Sequence, residues 1–210
     1  MFKSEAETQR RVPRQQRSRE KHERILDAAD TLLARAGSDT RAATLTTTRI
    51  AAEAGVAVGS LYSYFADKEA IAEAVALRHW QRFADLVAAT AEAEERDRSA
   101  DPLATVLDTL AAGFRGQPAF RALWYSELRS ERVRAATRPV RDQVGASLRR
   151  VLKAHWPDAS GAQLDTAARM IVLVGDGILR EAFRIDPDGD PTLLREGRAM
   201  LQAYAERALA

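Results

Sequence analysis

The sequence predicts an all-α protein of about nine helices, and three observations support this prediction. Apolar residues recur at intervals of three, four and seven in almost every segment of the 210-residue chain. Strand-like alternation is not sustained anywhere. Glycine, proline and capping residues stand between the periodic segments, where helices are expected to begin and end. Beyond residue 100 we expect helices near 102–115, 118–128, 131–155, 160–184 and 191–208.

The composition excludes several classes of protein. The chain has no cysteine, so disulfide frameworks, thiolate metal sites and cysteine nucleophiles are excluded. His22, His79 and His155 are too far apart in sequence to suggest a metal cluster, and we expect neither a metal nor a cofactor. No apolar run approaches the roughly 18 residues that a membrane span requires, and the polar N-terminus is not typical of a signal peptide. We therefore expect a cytoplasmic protein without a membrane partner.

The positive charge is concentrated near the N-terminus. Seven basic residues and two acids lie within residues 9–24, although the net charge of the chain is only +2. Residues 1–16 show no helical periodicity, so we predict a flexible basic arm there, followed by a helix over 18–36. Such an arm either solubilises the chain or neutralises DNA phosphates, and Arg14 and Arg17 are the candidate contacts.

The stretch from Thr44 to Phe65 predicts two short helices joined by a tight turn. Thr46 is suited to cap the first helix through its hydroxyl, and Gly55 supplies the positive φ that the turn requires. Leu61 and Phe65, four residues apart, direct one face of the second helix inward. The pattern is that of a helix-turn-helix, whose second helix enters the DNA major groove, although an αα-corner within a core has the same pattern.

A larger helical body is expected after this unit. A long amphipathic helix over about 68–95, capped by Asp67, is long enough to join the two. The segments 160–184 and 191–208 are apolar on two sides and must therefore be buried on two sides. Two such helices suit a four-helix dimer interface, although they would also complete a monomer core. The predicted interface residues are Ile171, Gly175, Ile178, Met200, Leu201 and Tyr204.

No catalytic motif is complete. Gly175-Asp176-Gly177 lacks the third glycine of a dinucleotide fingerprint and follows no predicted strand. The acids within 186–190 alternate as in a calcium loop, but Pro191 occupies the glycine position, so the segment is interpreted as a turn. Asp176 lies on an apolar helix, where it either pairs with Arg180 one turn on or faces a ligand cavity.

Residues 46–69 resemble the signature of the tetracycline-repressor-like (TetR) family of bacterial regulators, and the helix over 18–36 is similar to that family's first helix. The matching residues are Thr46, Ile50, Ala51, Ala54, Gly55, Val56, Gly59, Ser60, Leu61, Tyr62, Tyr64, Phe65, Lys68 and Glu69. The resemblance implies a homodimer that binds a palindromic operator in double-stranded DNA. It also implies a small-molecule inducer that binds in the C-terminal body.

The resemblance also implies which residues contact DNA. They are Thr46, Thr47, Thr48, Val58, Gly59, Ser60, Tyr62, Tyr64 and Lys68, besides Arg14 and Arg17 of the arm. Hydroxyls and lysine suit phosphate, and short side chains suit the floor of the groove. Ala57 and Val58 depart from the family's commoner polar residues. Because Val58 can touch a thymine methyl but cannot hydrogen-bond a base, we expect DNA shape and the arm to carry more of the specificity.

The inducer pocket is expected among aromatic residues of the C-terminal body, although ordinary core packing would explain any one of them. The predicted lining residues are Trp80, Phe83, Phe114, Trp124, Tyr125, Met170, Leu173 and Asp176. This set favours an apolar or aromatic ligand, with Tyr125 and Asp176 as its polar contacts.

The sequence therefore predicts three segments: a basic arm over 1–16, a helix-turn-helix domain over 17–66, and a ligand-binding and dimerisation domain over 67–210. The expected function is transcriptional repression without enzymatic activity. Two other classes stay open. One is a nonspecific DNA-binding or helical interaction protein, and the other is a helical enzyme that contains a helix-turn-helix.

Overall fold

The computed structural model describes residues 14–36, 45–125 and 130–210, with side chains for all of these except residues 14, 15 and 125. Within these ranges the chain contains no strand, and the all-α prediction is confirmed. The helices are α1 (Arg14–Ala36), α2 (Thr47–Ala54), α3 (Val58–Tyr62), α4 (Lys68–Arg96), α5 (Pro102–Arg115), α6 (Pro118–Tyr125), α7 (Glu131–His155), α8 (Gly161–Ile185) and α9 (Pro191–Leu209).

Helices α4, α5, α7, α8 and α9 each begin next to a capping side chain. In each case the side-chain oxygen of the N-cap residue accepts a hydrogen bond from the amide three residues further on, which satisfies one donor of the first turn. The caps are Asp67, Asp101, Ser130, Ser160 and Asp190. The predicted bounds of α4–α9 agree with the structure to within one residue, except that the end expected at 128 lies outside the described residues.

Helix α1 begins at Arg14, four residues before the position that the sequence suggested. The expectation of an arm through residue 16 is therefore wrong for residues 14–16. These are arginine and glutamine, which are good helix formers and favour extending the helix toward its N-terminus. Residues 1–13 lie outside the described part of the chain, and so do Gly37 and the loop expected after it.

Helices α1–α3 and the first turns of α4 share one apolar core, and we call this unit the head. Ile25, Ile50, Leu61 and Ile71 are fully buried there. The Thr46 hydroxyl accepts from the Arg49 amide at 3.2 Å and starts α2, as predicted. Gly55 ends α2 with φ of 64°, the left-handed conformation that the turn requires. By contrast, Ala57 begins α3 without a side-chain hydrogen bond.

Helices α4–α9 form the body, in which α4 packs along α7 and α8 packs against α9. A Cβ atom on Gly197 would lie 2.7 Å from Cγ2 of Ile178, so a larger residue at this crossing of α8 and α9 would force the Ile178 side chain to move. The head and the body are continuous. Ala119 and Leu123 of α6 and Val133 of α7 belong to the same buried cluster as the core of the head. The head core therefore extends beyond the boundary expected at residue 66.

Candidate nucleic-acid interface and ligand cavity

Most of the side chains predicted to contact DNA lie on the surface of the head. Val58 and Tyr62 are 37% and 52% exposed, which is high for large apolar or aromatic side chains. Thr46, Thr48, Gly59 and Lys68 are also exposed, as is Arg17 on α1, while Thr47, Ser60 and Tyr64 are half-buried. The side chain of Arg14 lies outside the described residues.

A contact between Thr47 and Tyr62 fixes the two helices of the predicted helix-turn-helix together. Thr47 Oγ1 and the Tyr62 hydroxyl lie 3.2 Å apart, so the first turn of α2 meets the last turn of α3. Ser18 Oγ donates to the Tyr64 hydroxyl at 3.4 Å, which ties the end of this unit to α1. The hydroxyls expected to meet phosphate are therefore held in place by contacts within the head, on a surface that stays open to solvent.

The side chains in the first turn of α3 are small, since this turn consists of Val58, Gly59 and Ser60. A Cβ atom on Gly59 would find no heavy atom within 4 Å, and Gly59 is exposed. Packing within the protein therefore does not require glycine at position 59. A close approach of the α3 backbone to the surface of another molecule would require it. Short side chains around an exposed helix suit entry into the major groove, where base edges lie deep.

Lys68 stands at the start of α4, beside a cluster that joins the head to α7. Asp67 accepts from the Ala70 amide at 2.7 Å and from Arg132 at 3.2 Å, and Arg132 also donates to Glu73 at 2.8 Å. The amide hydrogen bond of Ala70 is the main reason that the pKa of Asp67 is lowered, and Arg132 adds to it. The position of Lys68 is thus linked to the body through Arg132.

The body encloses an apolar cavity between α4, α5, α7, α8 and α9. About 70 Å³ of it is open to the centre of a water molecule. Four of the predicted lining residues border this cavity, namely Trp80, Phe83, Phe114 and Asp176. Trp124 instead packs against Trp80, with ring centroids 5.1 Å apart. The side chain of Tyr125 lies outside the described residues.

Two residues expected in the cavity wall lie elsewhere. Met170 and Leu173 are 39% and 65% exposed on the outer face of α8, so the expectation that they line the pocket is wrong. Conversely Ile171, Gly175 and Leu201, expected at a dimer interface, border the cavity within the chain. Successive residues of a helix are about 100° apart, so residues three or four positions apart share a face. The prediction assigned the two apolar faces of α8 the wrong way round: the face with Ile171 and Gly175 borders the cavity, and the face with Met170 and Leu173 lies outside.

Of the remaining residues expected at the interface, Met200 is 50% exposed, while Ile178 and Tyr204 are half-buried beside the body core. Four large apolar side chains on α8 and α9 are exposed, namely Met170, Leu173, Met200 and Ile185, which is the last residue of α8. We call Met170, Leu173 and Met200 the outer α8–α9 face.

Asp176 combines the two roles that the sequence left open. Its carboxylate accepts from Arg180 at 3.2 Å, one turn further along α8, and it also borders the cavity. It is the only charged residue bordering this cavity in the described part of the chain.

A buried polar cluster centred on His79 escaped the sequence-based prediction. His79 is 1% exposed; its Nε2 lies 2.6 Å from Oδ1 of Asp30 on α1, and its Nδ1 lies 2.5 Å from Oε1 of Gln117, between α5 and α6. Arg78 also binds Asp30, at 3.1 Å. The cluster connects the head to the body next to Trp80. A histidine within the apolar stripe of α4 was the signal that could have revealed it, since a buried polar group needs partners.

The charges around Asp30 keep it ionised. Burial raises the pKa of Asp30, but the hydrogen bond and charge of His79, together with the charges of Arg78 and Arg82, outweigh burial and lower this pKa below its ordinary value of 3.8. The link between head and body is therefore a charged one.

The described residues contain no group of three or more histidine and acidic side chains that could hold a metal ion. No helix in the same ranges is long and apolar enough to cross a membrane.

Two family models match the chain. Residues 25–75 match the model described as bacterial regulatory proteins, tetR family, and residues 100–204 match the model described as tetracyclin repressor-like, C-terminal domain. No protein with a curated description matches the chain.

Several solved structures share the fold. A TetR-family transcriptional regulator from Streptomyces coelicolor is 29% identical, with a TM-score of 0.64, over 90% of this chain and 99% of that one. A second TetR-family member from the same organism is 27% identical, with a TM-score of 0.62, over 90% and 98%. The regulator FadR from Bacillus subtilis, solved with stearoyl-CoA, is 20% identical, with a TM-score of 0.64, over 90% and 98%. The last likeness shows the fold alone.

Proposed function

Because the chain belongs to the tetR family of bacterial regulatory proteins, which are DNA-binding transcriptional regulators, we propose that it is a homodimeric repressor. In this proposal it acts in the cytoplasm, binds a palindromic operator through α3, and leaves the operator when a small apolar or aromatic molecule enters the cavity. The observation that carries the proposal is the exposed, side-chain-poor surface of α3, held against α2 by the contact between Thr47 and Tyr62.

The operator contacts follow from the geometry of the head. Thr47, Thr48 and Lys68 lie at the starts of α2 and α4, where backbone amides and the helix dipole favour phosphate. Val58, Gly59 and Ser60 begin α3 and would meet the bases. Since Val58 offers only an apolar contact, sequence-dependent DNA shape supplies part of the specificity.

The dimer is supported by the outer α8–α9 face. Leu173, Met170 and Met200 are large apolar side chains on adjacent helices, and all three are at least 39% exposed in the single chain. A two-fold axis through this face would bury them against the same residues of a second copy. Two copies are what a palindromic operator requires, because each half-site binds one recognition helix.

Release from DNA is proposed to pass through α4. An engineered cavity of about 150 Å³ binds benzene, so a space of 70 Å³ must widen to admit even a small ring. Trp80 in the cavity wall is the neighbour of His79, which holds Asp30 of α1. A ligand that prefers the widened cavity would thus shift the population toward bodies in which α4, and the head attached to it, have moved.

Two alternatives are weaker. A helical enzyme is disfavoured because no catalytic motif of the sequence is complete, and a helical interaction protein without a ligand is disfavoured because the body contains an apolar cavity. A nonspecific DNA-binding protein would share the charged head but would not discriminate sequences.

A fluorescence anisotropy titration tests the proposal. The full-length protein is titrated with labelled duplex from the region around its own gene and with a shuffled duplex of equal length, at one fixed salt concentration. We expect the native duplex to bind at least about a thousandfold more tightly. Equal affinity for the two duplexes would contradict sequence-specific repression and favour the nonspecific alternative.

A further inference from the structure

The apolar cavity meets a second, smaller pocket at one side chain, Trp80. The second pocket lies between α4, α6 and α7, and about 20 Å³ of it is open to the centre of a water molecule. Trp124, Thr137 and Arg141 border it, and we call it the Arg141 pocket. Trp80 borders both spaces and thus forms a wall between them.

The two spaces lie end to end along the groove between α4 and α7. On α7, Arg141 borders the Arg141 pocket, and Val144 and Leu148 border the cavity. Residues spaced by three, four and seven lie on one helical face, so these side chains form a single row. From Arg141 to Leu148 the helix rises roughly 10 Å. An extended molecule, rather than a compact one, fits this row.

Arg141 places an uncompensated positive charge at one end of the row. Its guanidinium carbon lies 5.3 Å from the centroid of the Trp80 ring. It forms no ion pair within the described part of the chain, whereas Arg134, Arg149 and Arg150 on the same helix each bind a carboxylate. A guanidinium that lies over an aromatic ring keeps its in-plane N–H donors, and their geometry matches a carboxylate.

The cavity itself is lined by one charged side chain in the described part of the protein, and that side chain is ion-paired. Asp176 borders the cavity from α8, paired with Arg180 at 3.2 Å, and no other charged side chain of the described residues lines it. The charge of Asp176 is balanced by Arg180, so the cavity lining offers no cation to a negative group, whereas Arg141 does. The spaces therefore favour one orientation of a charged ligand, with its anionic end away from the cavity.

We propose that the inducer is an amphipathic monoanion whose apolar chain fills the cavity and whose carboxylate binds Arg141. Trp80 turns aside to join the two spaces. The proposal rests on the proposed function and adds to it the charge and the orientation of the ligand. Movement of Trp80 is required because neither space alone holds an extended ligand, and this movement is also the one that disturbs the neighbouring His79.

Three probes that differ only in their polar end test the charge. Octanoate, octan-1-ol and octylamine are titrated into the full-length protein by isothermal titration calorimetry at neutral pH. We expect octanoate to bind about tenfold more tightly than octan-1-ol, as for a hydrogen-bonded charge pair, and octylamine to bind no better than the alcohol. Octylamine binding as tightly as octanoate, or octan-1-ol doing so, would overturn the proposal, and so would the absence of binding by octanoate.

Arg141→Gln and a matched control locate the contact. Arg141→Gln should lower the affinity for octanoate to that for octan-1-ol and leave octan-1-ol unchanged. Arg138→Gln removes the same charge from an exposed position one turn earlier, which borders neither space, and should keep the preference for octanoate. Equal loss in both variants would overturn a specific role of Arg141. These results are distinct from the DNA titration, because a regulator with a neutral inducer would still bind its operator specifically.

Discussion

Replacing Asp30 by alanine should destabilise the protein far more than replacing Asp27, although both carboxylates lie on α1 and both bind Arg78. Asp30 accepts from His79 at 2.6 Å and lies 3.1 Å from Arg78, with its side chain 23% exposed. Asp27 binds Arg78 at 2.6 Å but is 67% exposed. Two partly buried, charge-assisted contacts are worth about 3 kcal/mol after allowance for solvent, whereas an exposed ion pair is worth about 1 kcal/mol or less.

The difference between the two variants is the quantity to measure. Both changes replace aspartate by alanine within one helix, so the effect of helix propensity cancels. We expect Asp30→Ala to unfold with a free energy about 2 kcal/mol lower than that of Asp27→Ala, and with a melting midpoint about 4–8 °C lower. Urea and thermal unfolding followed by circular dichroism measure both. Equal stability of the two variants would refute the His79 cluster as the link between head and body.

Acid should reduce the cost of the Asp30→Ala change. Because the pKa of Asp30 is lowered in the folded protein, its contribution is present above the ordinary value of 3.8 and is lost as the pH falls through the folded-state pKa. The stability difference between wild type and Asp30→Ala should therefore be largest near neutral pH and should shrink below about pH 4. A difference that stays constant over this range would contradict the charged state of the cluster.

Three further substitutions test the DNA surface, the helix crossing and the dimer. Lys68→Ala should weaken binding to specific and random duplex alike and lower the salt slope by about one unit, while Lys153→Ala, in the body, should change neither. Gly197→Ala should cost about 1–3 kcal/mol by forcing Ile178 away, whereas Gly145→Ala on α7 meets no atom within 4 Å and should stabilise slightly. Leu173→Glu should convert the proposed dimer to a monomer in light scattering, and a dimer that persists in this variant would contradict the outer α8–α9 face as the interface.

The helices of the body could be predicted from sequence because local chemistry determines where they begin. Two helix starts carry complete N-terminal signals: Asp101 followed by Pro102, and Ser160 followed three residues later by Gln163. In the structure the Asp101 carboxylate accepts from the Ala104 amide, and the Ser160 hydroxyl accepts from the Gln163 amide. The helix-turn-helix was also predictable, since its signals are local: the Thr46 hydroxyl accepts from the Arg49 amide, and the Gly55 amide donates to the Ala52 carbonyl.

The orientation of α8 could not be predicted from sequence, because both of its faces are apolar. Ile171 and Leu173 are equally suited to a core by composition, yet one lines the cavity and the other is 65% exposed. Only the packing of α8 against α5, α7 and α9 decides which face turns inward. The cluster of His79 and Asp30 was missed for a related reason, since 49 residues separate the two and no local pattern joins them.

DNA binding by a Gly59→Leu variant tests the central claim, that α3 enters the major groove, most directly. The structure has no heavy atom within 4 Å of a Cβ at this position, so the variant should fold with a melting midpoint no lower than that of the wild type. Its leucine would stand between α3 and the base edges, and we expect operator affinity to fall by at least about tenfold. Ala162→Leu, at an exposed position near the start of α8, serves as the control and should bind as the wild type does. Unchanged operator binding by a folded Gly59→Leu protein would contradict the claim that this helix reads the DNA.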